Sequence, residues 1–252
     1  MKTLKVGKGL CAALILALSC LSVQACPPDT VDIEHCGYGA YDEDGVAVWG
    51  GGHEGTVVYG GVYMLNKTAG SGQGDIWPNG LIGGFCVELH EAAPVSTFTY
   101  DVVMPKNAYN SFLGELIGAQ KANYLSELWG RFYDPAWAGS GPLCPQKNSA
   151  AEAFAAAVWE IIYEDLPTSP AGWDVTVDGT VCSHGFRCEG ANTTLANSWL
   201  HSLTGCGPKA DLRVFTYDGK QDYIVQVPEP ATVVMLGLGG LINLLTRRRS
   251  HR

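Results

Sequence analysis

Positive charge is scarce in this chain, which has 16 lysines and arginines among 252 residues against 25 aspartates and glutamates. Seven of the basic residues lie in two terminal segments, residues 1–25 and 231–252, and neither segment contains an acidic side chain. The part of the chain between these two segments therefore has nine basic and 25 acidic residues, which gives it a formal charge of −16. Such a surface repels nucleic acid and acidic polysaccharide, so the composition argues against a nucleic-acid partner.

Compact metal-binding motifs are also missing. A zinc site could be built from Cys182, His184, Cys188 and Cys206, but the spacing of these residues matches no compact zinc motif. The acidic turn at residues 42–45 lacks the downstream acidic ligand of a calcium loop. The sequence predicts neither a metal ion nor another cofactor.

The first 25 residues have the pattern of a removed export signal. Three lysines precede a mostly apolar run over residues 10–21, and residues 22–25 include the small side chains that a signal peptidase reads. Cleavage would leave Cys26 as the first residue of the mature chain. Because residues 23–26 loosely resemble a lipoprotein cleavage box, plain cleavage and lipidation of Cys26 both stay open.

The last 26 residues combine a rigid stretch, an apolar run and a basic end. Pro228 and Pro230 fix their φ angles and lack an amide hydrogen, so Val227 to Pro230, with Glu229, should be extended and accessible to a protease. Residues 231–245 carry no charge and would span about 22 Å as a helix, less than the roughly 30 Å of a bilayer core. We expect a short or partial membrane span whose cytoplasmic end is held by three arginines, Arg247, Arg248 and Arg249.

This order of features closely resembles the C-terminal sorting signal of PEP-CTERM proteins. The resemblance covers residues 227–252 and implies recognition by a membrane-embedded exosortase, with cleavage near Pro228-Glu229-Pro230. It also implies that the protein starts at the envelope membrane and is delivered to the bacterial cell surface or its exopolysaccharide. An ordinary C-terminal membrane anchor is the alternative, and whether the mature form is anchored or released stays open.

Seven cysteines follow residue 25. In the oxidising environment outside the cytoplasmic membrane, cysteines pair as disulfides, and an odd number leaves at least one thiol unpaired. Cys26–Cys36 and Cys182–Cys188 are predicted because each bridge would close a short loop. Cys144–Cys206 is the pair that remains, and Cys86 is predicted to be free.

The part between the two signals, residues 26–226, is long enough for one well-buried ectodomain. Residues 26–55 lack a clear pattern and are predicted to be an irregular lead-in. Periodicity and turn residues predict strands over 56–65, 82–89 and 97–104, and a hairpin formed by 211–217 and 222–227.

Helical spacing begins near residue 112, resumes after a capping box at residues 149–152, and returns over 192–203. The predicted fold is α+β, an antiparallel β-sheet or barrel with a helical insertion from about residue 112 to 166.

Two of these segments resemble bacterial thioester domains and their PEP-CTERM relatives. The resemblance rests on Gly84-Phe85-Cys86-Val87-Glu88 in a strand and on residues 153–161 in a helix. It implies that a strand cysteine attacks the amide of a helix glutamine, expels ammonia and leaves an acyl donor for a target amine. The glutamine position is Ala155 here, so the resemblance implies the scaffold while the residues predict that the reaction is lost.

Three classes of function remain. The leading hypothesis is a non-enzymatic, adhesin-like surface or matrix protein, whose partners would be the exosortase, the membrane and surface glycans or exopolysaccharide. The alternative is a carbohydrate-binding module that stacks sugars on Trp49, Trp77, Trp129, Trp137, Trp173 or Trp199.

An enzyme is the third class. It would pair Cys86 with His53, His90 or His184, or use Glu88 and Glu91 as acid and base. None of these pairs has a recognisable catalytic setting, so we expect no enzyme activity.

Overall fold

The computed structural model describes residues 27–180 and 184–229. The predicted signal peptide, Cys26, Cys182 and the tail from Pro230 onward, including its three arginines, lie outside the described residues. Among the residues that are described, no helix combines the length and apolar character needed to cross a membrane.

Eleven strands are described. In chain order they are β1 Thr30–Tyr41, β2 Val46–Gly50, β3 His53–Val58, β4 Gly61–Ser71, β5 Gly80–Cys86, β6 Phe98–Val103, β7 Tyr109–Asn110, β8 Glu115–Leu116, β9 Arg187–Glu189, β10 Leu212–Tyr217 and β11 Lys220–Gln226. Six of them close an antiparallel barrel in the order β1-β4-β5-β11-β10-β6, and β3-β2-β9 and β7-β8 form two small sheets. The α+β prediction with an antiparallel barrel is confirmed at this level.

Three helices accompany the barrel: α1 Gly118–Phe132, α2 Pro145–Tyr163 and α3 Thr193–Ser202. The second is the central one, since every residue from Ala151 to Tyr163 is buried and the helix packs against β1 and β4. Its alanines let the helix approach the sheet closely, while Phe154 and Trp159 fill the space between them.

The irregular lead-in predicted for residues 26–55 is wrong. Residues 30–41 form β1, which pairs with both β4 and β6 and so closes the barrel. Val31 and Ile33 are fully buried and alternate with polar residues, the pattern of a half-buried strand. Two register shifts and Gly37, at φ 124°, interrupt that alternation later in the strand and hide it in the sequence.

Two helix starts also differ from prediction. Residues 109–116 form the β7-β8 hairpin with Gly114 at φ 72°, so Phe112 lies in a turn and α1 begins only at Gly118. The second helix begins at Pro145, four residues before the predicted capping box, because proline at the first position lacks only an amide that would be unpaired there. The predicted α3 and the β10-β11 hairpin are confirmed.

The strand registers sort the barrel strand termini into two ends. The end where the chain leaves the barrel, which we call the Gln226 end, joins Thr30, Ser71, Gly80, Val103, Leu212 and Gln226. The opposite end, which we call the Cys86 end, joins Tyr41, Gly61, Cys86, Phe98, Tyr217 and Lys220.

Candidate functional site

Cys86 is the last residue of β5 and is 3% exposed. Its thiol donates to the backbone carbonyl of Glu88 at 3.2 Å and shares a cavity with the side chains of Gln221 and Trp159. Burial raises the pKa of this thiol to about 12, so the sulfur keeps its proton at neutral pH. The group is therefore enclosed and weakly nucleophilic.

Gln221, the second residue of β11, places a carboxamide beside this thiol. It is 5% exposed, its Nε2 donates to the Tyr63 hydroxyl at 3.4 Å, and its Oε1 accepts from the Tyr223 hydroxyl at 3.4 Å. Tyr223 of β11 pairs with Cys86 of β5, so the side chain of Gln221, two residues before Tyr223, lies near that of Cys86. A cavity of about 170 Å³ lies at this point and is also lined by Trp159.

Sequence reasoning missed Gln221 because it is far from Cys86 along the chain and belongs to no motif. The available signal is weak: Gln221 and Asp222 are two buried polar residues directly before the apolar residues 223–225 of β11.

Helix α2 lies against the same end of β5. Trp159 Nε1 donates to the Cys86 carbonyl at 3.1 Å, and Ala155, one turn earlier, is 2% exposed. The predicted strand and helix thus meet, but the methyl group of Ala155 offers no carbonyl to the thiol.

An acidic cleft of about 610 Å³ adjoins this cavity, and Glu91 lines both. Its carboxyl groups belong to Glu88, Glu91, Asp101, Asp218 and Asp222. Glu88 accepts from the Ser111 amide at 2.8 Å and hydroxyl at 3.0 Å, and the same hydroxyl lies 3.5 Å from Glu91 Oε1. The structure therefore brings together the two carboxylates that were candidates for acid and base.

Several of these carboxyl groups hold their protons more tightly than in water. Burial raises the pKa of Glu88, and burial together with the charge of Glu88 raises the pKa of Glu91. Burial, and to a smaller extent the charge of Glu88, raises the pKa of Asp222 to about 9. The cleft is therefore less negative at neutral pH than its composition indicates, and it can donate hydrogen bonds as well as accept them.

The three candidate histidines bond elsewhere in the described structure. His53 Nε2 contacts the Leu89 carbonyl at 2.7 Å, His90 Nε2 the Ser111 hydroxyl at 3.0 Å, and His184 Nε2 the Glu115 carboxylate at 3.1 Å. The Cys86 thiol instead donates to the Glu88 carbonyl and lies in a cavity lined by Gln221 and Trp159. In this arrangement no described histidine takes the proton of Cys86.

Metal ligands do not gather in the described part of the chain, where no three His, Cys, Asp or Glu side chains could hold an ion. Cys182, a member of the hypothetical zinc set, lies outside the described residues. Cys188 is 1% exposed, and burial raises the pKa of its thiol to about 12, which opposes the thiolate that a zinc site needs.

No disulfide joins two of the described cysteines, which are Cys36, Cys86, Cys144, Cys188 and Cys206. The predicted Cys144–Cys206 bridge is therefore absent from the described residues: Cys144 caps α2, whereas Cys206 lies in a loop bound to Glu127 of α1. The other two predicted bridges involve Cys26 and Cys182, which are not described, and stay predictions.

Most of the tryptophans proposed for sugar stacking are buried. Trp77, Trp129, Trp137 and Trp173 are each less than 5% exposed. The guanidinium of Arg187 covers the ring of Trp49 at 3.9 Å, and Phe132 stacks on Trp199 at 5.2 Å. These rings stabilise the ectodomain and leave little aromatic surface for a glycan.

The start of the sorting segment is fixed to the barrel. Trp77 Nε1 donates to the Gln226 carbonyl at 2.9 Å, and Trp129 Nε1 donates to the Gln226 side-chain oxygen at 3.0 Å. Val227 donates its amide to the Asp211 carbonyl at 2.9 Å. Pro228 and Glu229 follow at once, and Glu229 is exposed.

Comparisons with known proteins bear on the end of the chain. Searches of curated proteins and of solved structures find no match to the chain. Residues 226–249 match the PEP-CTERM protein-sorting motif, which marks an exported protein that is anchored at the membrane before an exosortase processes it.

Proposed function

We propose that this protein is a non-enzymatic, adhesin-like component of the bacterial cell surface or extracellular matrix, delivered there by exosortase sorting. The observation that carries the proposal is the direct junction between the sorting motif and the barrel. The motif begins at residue 226, the last residue of β11, so the whole barrel is the cargo that sorting delivers.

The chemistry at the Cys86 end supports a binding role over catalysis. The thiol is protonated and buried, the histidines bond elsewhere, and Glu88 and Glu91 both contact the Ser111 hydroxyl. The acidic cleft, at about 610 Å³, is open to solvent and lined by hydrogen-bonding groups. Such a surface suits a polar partner held by non-covalent contacts.

Thioester chemistry is proposed to be lost. Ala155 cannot act as the acyl donor, and a thiol with a pKa of about 12 attacks an amide poorly. Gln221 is the carboxamide that adjoins Cys86, and its Oε1 and Nε2 are both engaged by tyrosine hydroxyls.

A glycan-binding role is the second candidate, supported by tyrosines rather than tryptophans. Tyr38, Tyr41 and Tyr59 contact one another at 4.9–5.7 Å between ring centroids at the Cys86 end, and Tyr59 is 46% exposed. If this cluster binds sugar, Tyr59→Ala should lower retention of the ectodomain on the host's exopolysaccharide. Tyr109→Ala, at a 54% exposed tyrosine outside the cluster, should leave that retention unchanged.

Sorting is tested in the native host. Replacing Pro228, Glu229 and Pro230 with alanines should trap the unprocessed chain at the membrane, because the rigid motif is what the exosortase recognises. The control changes Pro167 and Pro170 to alanine, in a loop remote from the tail. Normal processing and surface delivery of the motif variant would contradict the proposal.

A further inference from the structure

We propose that, while the chain is anchored, the Gln226 end of the barrel rests against the lipid surface of the membrane and the Cys86 end faces away from it. This inference depends on the sorting function, since it concerns the state before processing. It assigns a lipid-facing surface to the ectodomain itself.

The short connection to the tail is the first argument. Val227 is hydrogen-bonded to Asp211, and the uncharged run begins at residue 231. Four Cα–Cα steps separate the two points, and a fully extended chain of that length reaches about 14 Å. The polar headgroup layer on each side of a bilayer is about 5–7 Å thick, so even a fully extended linker holds the barrel within about 10 Å of the lipid surface.

Exposed apolar side chains at this end are the second argument. Leu81, near the start of β5, is 63% exposed; Met104, directly after β6, is 43% exposed; and Ile76, in the turn after β4, is 38% exposed. Each follows or begins a strand whose terminus lies at the Gln226 end. Contact with lipid would remove these side chains from water, a favourable transfer.

The third argument is that the chain enters the barrel, at residue 29, beside the point where it leaves the barrel, at residue 227. Asp29 Oδ1 accepts from the Gln73 amide at 2.8 Å, and Arg213 Nη2 donates to Gln73 Oε1 at 3.3 Å. Arg213 also pairs with Asp211, whose carbonyl accepts from Val227. Residues 29 and 227 are thus joined by a short chain of hydrogen bonds, and a lipid on Cys26 would attach to the same face.

Lipid-borne photolabelling of the full-length, unprocessed chain tests this orientation. The protein is placed in nanodiscs of phosphatidylethanolamine and phosphatidylglycerol doped with a phospholipid that carries a diazirine near its headgroup. Peptides containing Ile76, Leu81 and Met104 should be labelled several-fold more than the peptide containing Val95. Val95 is a matched control because it is 94% exposed and lies in the loop after β5, at the Cys86 end.

Labelling of residues 231–245 reports the anchor separately. A labelled tail with only background label at Ile76, Leu81 and Met104, or equal label at Val95, would overturn the proposed orientation while leaving the sorting function intact. A long flexible Gly-Ser insertion between Val227 and Pro228 supplies a second variant outside the fold. It should reduce the label at the Gln226 end to the level of Val95, and undiminished label would also overturn the proposal.

Discussion

The environment of individual side chains at the Cys86 end determines what they can do. Cys86 has a carboxamide neighbour, yet burial keeps its sulfur protonated and tyrosine hydroxyls hold Gln221. Asp222 and Glu88 are carboxyl groups that burial makes weaker acids. Two predictions follow from these environments, one on covalent chemistry and one on pH.

The ectodomain should form no internal thioester. Its intact mass should equal the mass of the mature sequence, less only the hydrogens lost to disulfides, and methylamine should add nothing. An ammonia loss that disappears in both Cys86→Ala and Gln221→Ala would contradict this and identify Gln221 as the acyl donor. Ala155→Gln tests whether a carboxamide at the predicted donor position can react with Cys86. Ala155 is 2% exposed, so the larger side chain must be accommodated in the core.

Stability should fall as pH rises from about 4 to 9. Between its unfolded pKa and its folded pKa of about 9, Asp222 is protonated when folded and ionised when unfolded, so the unfolded chain binds fewer protons. Glu152 and Glu160, with pKa values raised by burial to about 7 and about 9, act in the same direction.

Urea titrations at pH 6 and pH 9 measure this fall. Asp222→Asn should reduce it by up to about 4 kcal/mol, because each pH unit between 6 and the folded pKa of about 9 contributes about 1.4 kcal/mol. Asp75→Asn, at an exposed position after β4 and outside the acidic cleft, should leave the fall unchanged. An equal pH dependence in wild type and Asp222→Asn would show that Asp222 is ionised in the folded chain.

At the scale of elements, α2 and the barrel stabilise each other through one aromatic cluster. Phe154 is fully buried and its ring centroid lies 4.8 Å from Phe85 of β5, 5.3 Å from Trp129 of α1 and 5.6 Å from Trp137. These contacts connect the helix that was predicted from sequence to a strand that was also predicted.

Phe154→Ala should therefore lower the free energy of unfolding by about 3–5 kcal/mol, because it removes a buried ring and leaves a cavity. Gln146→Ala, at an exposed position of the same helix, should change it by less than about 0.5 kcal/mol. Chemical denaturation of the two variants makes the comparison. Similar values for both would mean that α2 is not packed on β5 in solution.

For the whole molecule, the junction between β11 and the tail limits where sorting can cut. Gln226 and Val227 are hydrogen-bonded into the barrel, whereas Glu229 is exposed. We predict that the mature protein retains Val227, since cutting earlier would require the last strand to leave the barrel. Mass spectrometry of the mature C-terminus checks this, and a terminus before Gln226 would contradict it.

Local patterns predicted several elements because their evidence lies in adjacent residues. A strand-like run over residues 82–89 indicated β5, alternating apolar side chains indicated β6, and the Asp218-Gly219 turn indicated the β10-β11 hairpin. The helix α3 begins at Asn192, whose side chain accepts from the Leu195 amide, as a predictable cap does. Patterns failed at β1, where glycine and register shifts break the alternation, and at residues 109–116, where a hairpin has helix-like apolar spacing.

The sequence by itself determined the sorting signal, since the order of Pro-Glu-Pro, apolar run and arginines is a property of consecutive residues. It also determined that the fold is α+β. Tertiary structure alone decided that β1 closes the barrel, that Gln221 lies beside Cys86, and that Cys86 and the exit of the chain lie at opposite ends. Those features depend on pairing between segments far apart in the chain, and pairing is selected by the packing of the whole core rather than by any local pattern.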